Sequence, residues 1–352
     1  MKNWLVATIL ALNFCTFAKI LKMSHSLFQQ FRSATVLVVG DVMIDAYLRG
    51  KVTRISPEAP VPVMNVLKRE YRLGGAANVA LNLQGLGATA VLCAVTGEDE
   101  KSRVFGDLLR SHGLTDEGIM SLPTRKTTVK YRVLGNNTQM MRIDEEDDGP
   151  LSAEESARFF ERVKQLITAH PVDAIIFEDY DKGLINKELI QNVVALAASK
   201  HIPVTVDPKR RNFKNYDGVT LFKPNLKELT EGVYGESRHL PIEDIEQCMR
   251  QFAETYHIDY LLTTLSAEGV AVYDRAAGRF DTQPAFRREI ADVSGAGDTV
   301  IAVATLCLVA GVPIVTAAHI ANLAGGLVCE SAGVVPITAQ QLEGEMQRIG
   351  NL

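Results

Sequence analysis

Short β-branched, apolar runs alternate along this chain with segments of helical periodicity, and this alternation constrains the fold more than any other feature. Five runs predict buried strands, at residues 35–41, 89–95, 173–179, 202–208 and 218–224. Helices are predicted at residues 76–86, 100–112, 152–169, 186–200 and 240–256. Because parallel strands need crossover connections, the pattern predicts an α/β fold with a mostly parallel central sheet and helices on both faces. From residue 298 onward the sequence becomes largely helical.

Two segments interrupt the alternation. Residues 45–73 mix polar and apolar residues with three prolines, and residues 125–144 predict a hairpin that turns at Gly135, Asn136 and Asn137. We expect the two segments to form a small β-sheet that stands off the main one. Ligands of open α/β sheets bind at the carboxyl ends of the strands, where a small sheet would act as a lid. A decorative edge is the alternative.

The first 22 residues differ from the remainder. A short basic start and an apolar run are typical of a secretory signal, although Met23 begins an ordinary soluble N-terminus and is an alternative start. We expect residues 1–22 not to belong to the fold and residues 23–352 to form a single domain. No other run predicts a membrane span. The net charge of -5 gives no overall attraction for nucleic acid, and five scattered cysteines without a CxxC pair indicate structural thiols in a reducing cytoplasm.

The stretch DVSGAGDTV, residues 292–300, places an acid among glycines at the start of an apolar segment. Gly295 and Gly297 leave backbone N–H groups bare, and a helix start adds the positive end of its dipole, so the motif predicts an anion site. Because a carboxylate repels phosphate, Asp298 fits a general base that takes a proton from an attacking hydroxyl. A side chain that only favours the helix dipole is an equally consistent interpretation of this motif alone.

Two motifs supply groups suited to a polyol. Gly75 and Asn78 lie in LGGAANVA, where glycine permits close approach and the amide both donates and accepts hydrogen bonds. Asp41 and Asp45 lie in GDVMID, where a strand ends, and carboxylates accept hydrogen bonds from sugar hydroxyls. A glycine turn before a packed helix and turn capping are the respective alternatives.

Two further motifs offer groups for a phosphate or a metal. Asn225 and Glu228, in KPNLKEL, share one face at a helix start and would hold Mg²⁺ through its waters; helix capping is the alternative. Lys182 and Lys209 each follow a predicted strand, although solvated surface charge explains most such lysines. GxxxxGK[ST] and HExxH motifs are missing from the sequence, which argues against a P-loop or a zincin site.

In order along the chain, Gly-Gly-x-x-Asn, Lys-Pro-Asn-x-x-Glu and Asp-x-x-Gly-Ala-Gly-Asp are similar to the motifs of the PfkB group of ribokinase-like sugar kinases. Residues 40–63 closely resemble the kinase domain of ADP-heptose synthases, the D-glycero-β-D-manno-heptose-7-phosphate kinases. Glu178 and Asp181 depart from that pattern, which more often has Ser and Gly there. The resemblance implies a ribokinase-like fold and ATP-dependent phosphorylation of the anomeric C1 hydroxyl of heptose 7-phosphate, in ADP-heptose synthesis for the lipopolysaccharide inner core.

The resemblance also implies roles for individual residues. Asp298 would be the base, and the N–H groups of Gly295, Ala296 and Gly297 would stabilise charge on the transferring group. The other candidates, grouped by ligand, are Asp41, Asp45, Gly75 and Asn78 for the sugar; Arg142, Lys182 and Lys209 for the 7-phosphate; Asn225 and Glu228 for Mg²⁺ through water; and Ser266, Gly269 and Asn322 for ATP. A cytoplasmic homodimer whose lids clasp each other is expected, with no direct metal ligand.

Two alternatives stay open. One is a PfkB-type kinase for another sugar phosphate or a nucleoside, and the other is a non-catalytic sugar- or nucleotide-binding regulator on the same fold. Many ADP-heptose synthases also carry a nucleotidyltransferase domain with an HxGH-type motif. No such motif occurs in these 352 residues, so a stand-alone kinase is expected.

Overall fold

The central sheet has nine strands in the computed structural model, which describes residues 26–136, 138–286 and 288–350. In spatial order the strands are β13 (Arg279–Gln283), β12 (Val270–Asp274), β11 (Tyr260–Thr264), β10 (Leu221–Phe222), β9 (Val204–Asp207), β8 (Ala174–Glu178), β1 (Thr35–Gly40), β4 (Thr89–Gly97) and β5 (Ile119–Leu122). Neighbouring strands from β5 to β11 pair in parallel. At the other edge, β12 pairs antiparallel with β11, and β13 pairs antiparallel with β12. The predicted α/β fold is therefore confirmed. The segment 1–22, expected to be a leader, lies outside the described residues.

Helices cover both faces of this sheet. They are α1 (residues 26–33), α2 (Ala76–Gly85), α3 (Glu100–Ser111), α4 (Ala153–Ala169), α5 (Lys187–Ser199), α6 (Leu226–Tyr234), α7 (Ile242–Thr255), α8 (Ala296–Val309), α9 (Ile314–Val328) and α10 (Ala339–Gly350). Val36 and Val38 pack into one core with α2, α8 and α9, whereas Leu37 and Val39 pack into the other with α4, α5 and α7. Alternate side chains of a strand point to opposite faces, so β1 contributes to both cores.

A second sheet has four strands, β3 (Pro62–Gly75), β2 (Val42–Ile55), β6 (Val129–Gly135) and β7 (Thr138–Glu145), in that order. β2 pairs antiparallel with β3 and parallel with β6, and β7 pairs antiparallel with β6. These strands come from the two segments predicted to form a small sheet, which is confirmed; its action as a lid stays a prediction. Asn137, in the predicted hairpin turn, lies outside the described residues.

The register of the parallel strands determines which residues meet at their carboxyl ends. Gly40 of β1 lies beside Glu178 of β8, and Glu178 lies beside Asp207 of β9. The hydroxyls of Thr205 in β9 and Thr305 in α8 are 2.7 Å apart and buried, so α8 is fixed against this part of the sheet. The start of α8 therefore lies at the same edge as the ends of β8 and β9.

Four strands of the main sheet lie outside the five predicted runs: β5, β11, β12 and β13. The run 218–224 forms a strand only at Leu221–Phe222. Within the described ranges, no helix combines the length and the apolar character needed to cross a membrane.

Candidate active site

The glycine turn before α8 has the geometry that its sequence requires. Gly295 caps the helix with φ 83, and a Cβ atom there would lie 2.9 Å from Asn78 Nδ2. A larger residue would therefore meet both backbone strain and a steric clash. The first N–H groups of a helix have no intrahelical acceptor, so Gly297 contributes its N–H group to an end of the helix that attracts anions. The Ala296 N–H group, at the same end, donates to the Val293 carbonyl over 3.3 Å.

Asp298 is buried in the first turn of α8, and hydrogen bonds hold both of its carboxylate oxygens. Asn78 Nδ2 donates to Oδ2 over 2.6 Å, and the Tyr180 hydroxyl donates to Oδ1 over 2.9 Å. Burial raises the pKa of Asp298, the Asn78 hydrogen bond lowers it, and the negative charge of Asp207 raises it again. The structure thus orients a single carboxylate at the head of a helix and makes it a stronger base than an exposed aspartate.

Hydrogen bonds among two amide side chains and a hydroxyl connect α2 to α8 beside that carboxylate. The Asn78 backbone carbonyl accepts from Asn82 Nδ2 over 2.8 Å, and Asn82 Oδ1 accepts from the Thr299 hydroxyl over 2.9 Å. These bonds join α2 to α8, and Asn82 Nδ2 also lies 3.5 Å from Oδ1 of the Asn78 side chain, which is fully buried. The partner of Asn78 in the structure is thus the predicted base, and a contact with a sugar stays a prediction.

Three buried carboxylates meet beside the start of α8. One oxygen each of Glu178, Asp207 and Asp298 lies within 4.8 Å of the others. Lys223, also buried, places its Nζ 2.8 Å from Asp207 Oδ2. Burial, followed by the charges of Asp207 and Asp298, raises the pKa of Glu178 well above its ordinary value. In the described part of the chain these three acids are the group that could hold a metal ion directly.

Asp298 is the member of this cluster that the sequence motifs predicted as a site residue; its neighbours were not predicted. The signal that could have identified these neighbours is their position at the end of a predicted strand, or just after one. It applies to Asp207, Lys223 and Tyr180. Glu178 was noted only as a departure from a family pattern. The expectation of no direct metal ligand did not take these strand ends into account.

Asp41 and Gly75 form the junction between β1, β2 and α2. Asp41 Oδ2 accepts from the backbone N–H groups of Tyr180 over 2.8 Å and Lys182 over 3.1 Å. Gly75 has φ 60, and a Cβ atom there would lie 2.4 Å from the Asp41 carbonyl oxygen. These contacts fit the turn-capping and glycine-turn alternatives, and the predicted sugar contacts remain predictions.

Asp45 lies nearby on β2, buried and hydrogen-bonded to Arg132 of β6. A Cβ atom at Gly74 would lie 2.5 Å from Asp45 Oδ2, so the second glycine of the GG pair gives this carboxylate its space. Arg132 was missed by sequence reasoning. Arg142, the predicted phosphate ligand, lies opposite Arg132 on β7, where it is exposed and donates to Asp144 over 3.0 Å.

The three predicted phosphate cations do not form one group. Lys182 pairs with Glu146 over 2.9 Å, and Lys130 links Glu146 to Asp144, the partner of Arg142. Lys182 and Arg142 thus belong to one chain of ion pairs at the base of the small sheet. Lys209 lies apart from this chain, hydrogen-bonded to Glu228 and 3.9 Å from Asp207 Oδ1. The acids Asp207 and Glu228 raise the pKa of Lys209 despite its burial, so it stays charged.

The residues predicted to contact ATP and Mg²⁺ lie around the ends of β10 and β11. Asn225 and Glu228 form a capping box: the Asn225 side chain accepts from the Glu228 N–H over 2.8 Å, and Glu228 accepts from the Asn225 N–H over 2.9 Å. This geometry fits the capping alternative. Asn225 also forms an isolated parallel β-bridge with Thr264, the residue that ends β11.

The turn that follows β11 contains the next two candidates. Ser266 is exposed with φ 56, and Gly269 has φ 98, where a Cβ atom would lie 2.0 Å from the Gln283 carbonyl oxygen. On α9, Asn322 Nδ2 donates to the Pro284 carbonyl over 2.9 Å, so its side chain contacts the loop that leads to the glycine turn. Their contacts with a nucleotide remain predictions.

Comparison with known sequences shows which protein family the chain belongs to. A sequence model described as pfkB family carbohydrate kinase matches residues 33–340. Bifunctional protein HldE of Methylobacillus flagellatus is 41% identical over 315 residues, which covers 89% of this chain and 63% of that protein. Bifunctional protein HldE of Pelobacter propionicus is 39% identical over 326 residues, covering 91% and 65% respectively. The chain thus spans less than two thirds of the length of these curated relatives.

Solved structures agree on the ribokinase-like fold. Phosphofructokinase-2 from Escherichia coli in complex with potassium superposes with a TM-score of 0.74 at 15% identity, covering 90% of this chain and 99% of that chain. Arabidopsis thaliana ribokinase complexed with ribose and ATP gives a TM-score of 0.68 at 17% identity, covering 89% and 99%. At such low identity the likeness concerns the fold.

Proposed function

Since this chain belongs to the pfkB family of carbohydrate kinases, we propose that it phosphorylates the anomeric C1 hydroxyl of D-glycero-β-D-manno-heptose 7-phosphate with ATP. The products are the 1,7-bisphosphate and ADP, in ADP-heptose synthesis for the lipopolysaccharide inner core. The observation that carries the chemistry is Asp298, a buried carboxylate held by two hydrogen bonds at a helix N-terminus. Support for the heptose comes from residues 40–63, which resemble the kinase domain of ADP-heptose synthases, and from the identity with HldE proteins.

The proposed reaction moves one proton and one phosphoryl group. The C1 oxygen forms a bond to the γ-phosphorus, the bond from that phosphorus to the β,γ-bridging oxygen breaks, and the C1 hydroxyl proton passes to Asp298. Each carboxylate oxygen has a second lone pair, so Asp298 accepts this proton while Asn78 and Tyr180 hold its orientation. The N–H groups of Gly295, Ala296 and Gly297 stabilise negative charge on the transferring group.

ATP and Mg²⁺ are assigned to the ends of β10 and β11. Asn225 and Glu228 suit only water-mediated contact with Mg²⁺, because the capping box and Lys209 already engage their side chains. When bound, Mg²⁺ neutralises phosphate charge. Ser266, Gly269 and Asn322 would contact the nucleotide, and the need for ATP assigns the reaction to the cytoplasm.

The small sheet is assigned the role of lid and dimer contact. Its exposed apolar side chains include Ile55, Leu67, Met141 and Ile143, with exposed fractions of 61%, 64%, 58% and 49%. An apolar face of this kind marks an interaction site on a protein. Met141 and Ile143 point away from Arg142 because side chains alternate along a strand, so a second lid can pack there without blocking the sugar site.

An activity assay with a substrate panel tests the proposed reaction. The protein should release ADP from ATP with heptose 7-phosphate and form the 1,7-bisphosphate. The Asp298→Asn variant keeps the shape of the side chain, and its amide can accept from Asn78 and donate to the Tyr180 oxygen. It loses the base, so kcat should fall by about 10²–10⁴-fold. ADP release with fructose 6-phosphate or a nucleoside instead of the heptose would identify another PfkB-type kinase. Binding without turnover of any of them would indicate a regulator.

The pH dependence of kcat, which reports groups in the enzyme–substrate complex, tests the state of the base. Asp298 must be ionised to accept a proton, and burial raises its pKa, so activity should fall on the acid side at a pH above 3.8, the ordinary aspartate value. Tyr180→Phe removes a hydrogen bond that stabilises the ionised form, and the acid limb should move to higher pH. An acid limb that Tyr180→Phe leaves in place would show that Tyr180 does not act on the base.

Sedimentation velocity tests the proposed homodimer. The wild-type protein should sediment as a dimer, and the double variant Met141→Asp/Ile143→Asp should sediment as a monomer, because buried unpaired charges disfavour the contact. Ile242→Asp, at an exposed position on α7 outside the small sheet, is the matched control and should stay dimeric. A monomeric wild-type protein at working concentration would reject the dimer.

A further inference from the structure

Glu178, at the carboxyl end of β8, has an environment that the phosphoryl transfer described above does not explain. Its side chain is fully buried, and neither carboxylate oxygen has a hydrogen-bond partner among the described residues. An ionised carboxylate without a partner is costly to bury, so a native protein compensates it with a bound cation or with a proton. One oxygen of Glu178 lies within 4.8 Å of one oxygen each of Asp207 and Asp298, so Glu178 faces two other acids.

The charges near Glu178 favour a cation of charge +2. Glu178, Asp207 and Asp298 contribute -3 when ionised, and Lys223, paired with Asp207 over 2.8 Å, contributes +1, which leaves -2. Lys209 lies between Asp207 and Glu228, and adding its charge of +1 together with the -1 of Glu228 leaves the sum at -2. A bound divalent cation would make the buried cluster neutral.

The ligand chemistry also fits a hard divalent ion. Carboxylate oxygens are the preferred ligands of Mg²⁺ and Mn²⁺, which bind oxygen at about 2.0–2.2 Å and keep part of their water shell. Two of the acids lie on adjacent strand ends in register, and the third lies on α8, which the buried Thr205–Thr305 contact fixes to the sheet. Asp207 Oδ1 is also buried, and no described residue forms a hydrogen bond with it, so it too has a lone pair available.

We propose that Glu178, Asp207 and Asp298 form a direct binding site for one divalent cation, of the Mg²⁺ or Mn²⁺ type, that is occupied in the absence of nucleotide and sugar. Asp298 must leave this cation to accept the C1 proton, so the site belongs to the enzyme before the sugar binds. This site is distinct from the water-mediated position at Asn225 and Glu228. It is argued from the buried carboxylates alone, so it stands or falls independently of which sugar the enzyme phosphorylates.

Titration with Mn²⁺, followed by the electron paramagnetic resonance signal of the free ion, tests the site on the full chain without ATP or sugar. The wild-type protein should bind one Mn²⁺ per chain. Glu178→Gln keeps the size of the side chain but removes one ligand charge, and the Mn²⁺ dissociation constant should rise at least tenfold, on the scale of about 10–100-fold for lost metal-site contacts. Glu161→Gln, an exposed acid on α4, is the matched control and should bind like the wild type.

Thermal unfolding separates loss of binding from loss of folding. In chelator, Glu178→Gln should unfold at no lower temperature than the wild type, because the substitution removes an unpaired buried charge. At the same Mn²⁺ concentration, the unfolding temperature of the wild type should rise by more than that of Glu178→Gln, because the weaker binding of the variant gives less stabilisation. Glu161→Gln, the exposed control on α4, should respond to Mn²⁺ like the wild type.

Two results would overturn the inference. Failure of the wild type to bind Mn²⁺ without nucleotide would show that a proton, not a metal ion, compensates Glu178. Equal Mn²⁺ affinity in the wild type and Glu178→Gln would place the ion elsewhere. Phosphorylation of heptose 7-phosphate by the same preparation would leave the proposed function standing in either case.

Discussion

The hydrogen bond from Asn78 to Asp298 is the interaction on which the candidate site depends. It joins α2 to the first turn of α8 over 2.6 Å, across 220 positions of the sequence. Tyr180 completes the arrangement from the end of β8, so three separate elements orient one carboxylate. A base that needs no reorientation before reaction lowers the entropic part of the barrier.

Burial of so many charges is possible only because the acids and cations are arranged together. Lys223 lies against Asp207 in the interior, and removing one partner from such a pair typically costs about 3–5 kcal/mol. In the part of the chain that the structure describes, neither oxygen of Glu178 has a hydrogen-bond partner. The same low-dielectric surroundings strengthen the action of the helix N-terminus on a phosphoryl group.

Local patterns predicted the parallel sheet, the small sheet and the position of Asp298, because each depends on residues close in sequence. Contacts set by strand register were not predictable in this way. Arg132 reaches Asp45 only because β6 pairs in parallel with β2, 87 positions earlier in the chain. The adjacency of Glu178 and Asp207 likewise depends on the pairing of β8 with β9. At Asn225 and Glu228 the sequence supported both capping and metal binding, and the structure shows the capping.

A crystal structure with heptose 7-phosphate and a non-hydrolysable ATP analogue tests the central claim most directly, since that claim concerns one distance. The account predicts that the C1 hydroxyl oxygen lies within about 2.6–3.2 Å of an Asp298 carboxylate oxygen, with the γ-phosphate at the N–H groups of the glycine turn. A C1 hydroxyl bound beyond hydrogen-bond reach of Asp298, with another side chain at that oxygen, would contradict it.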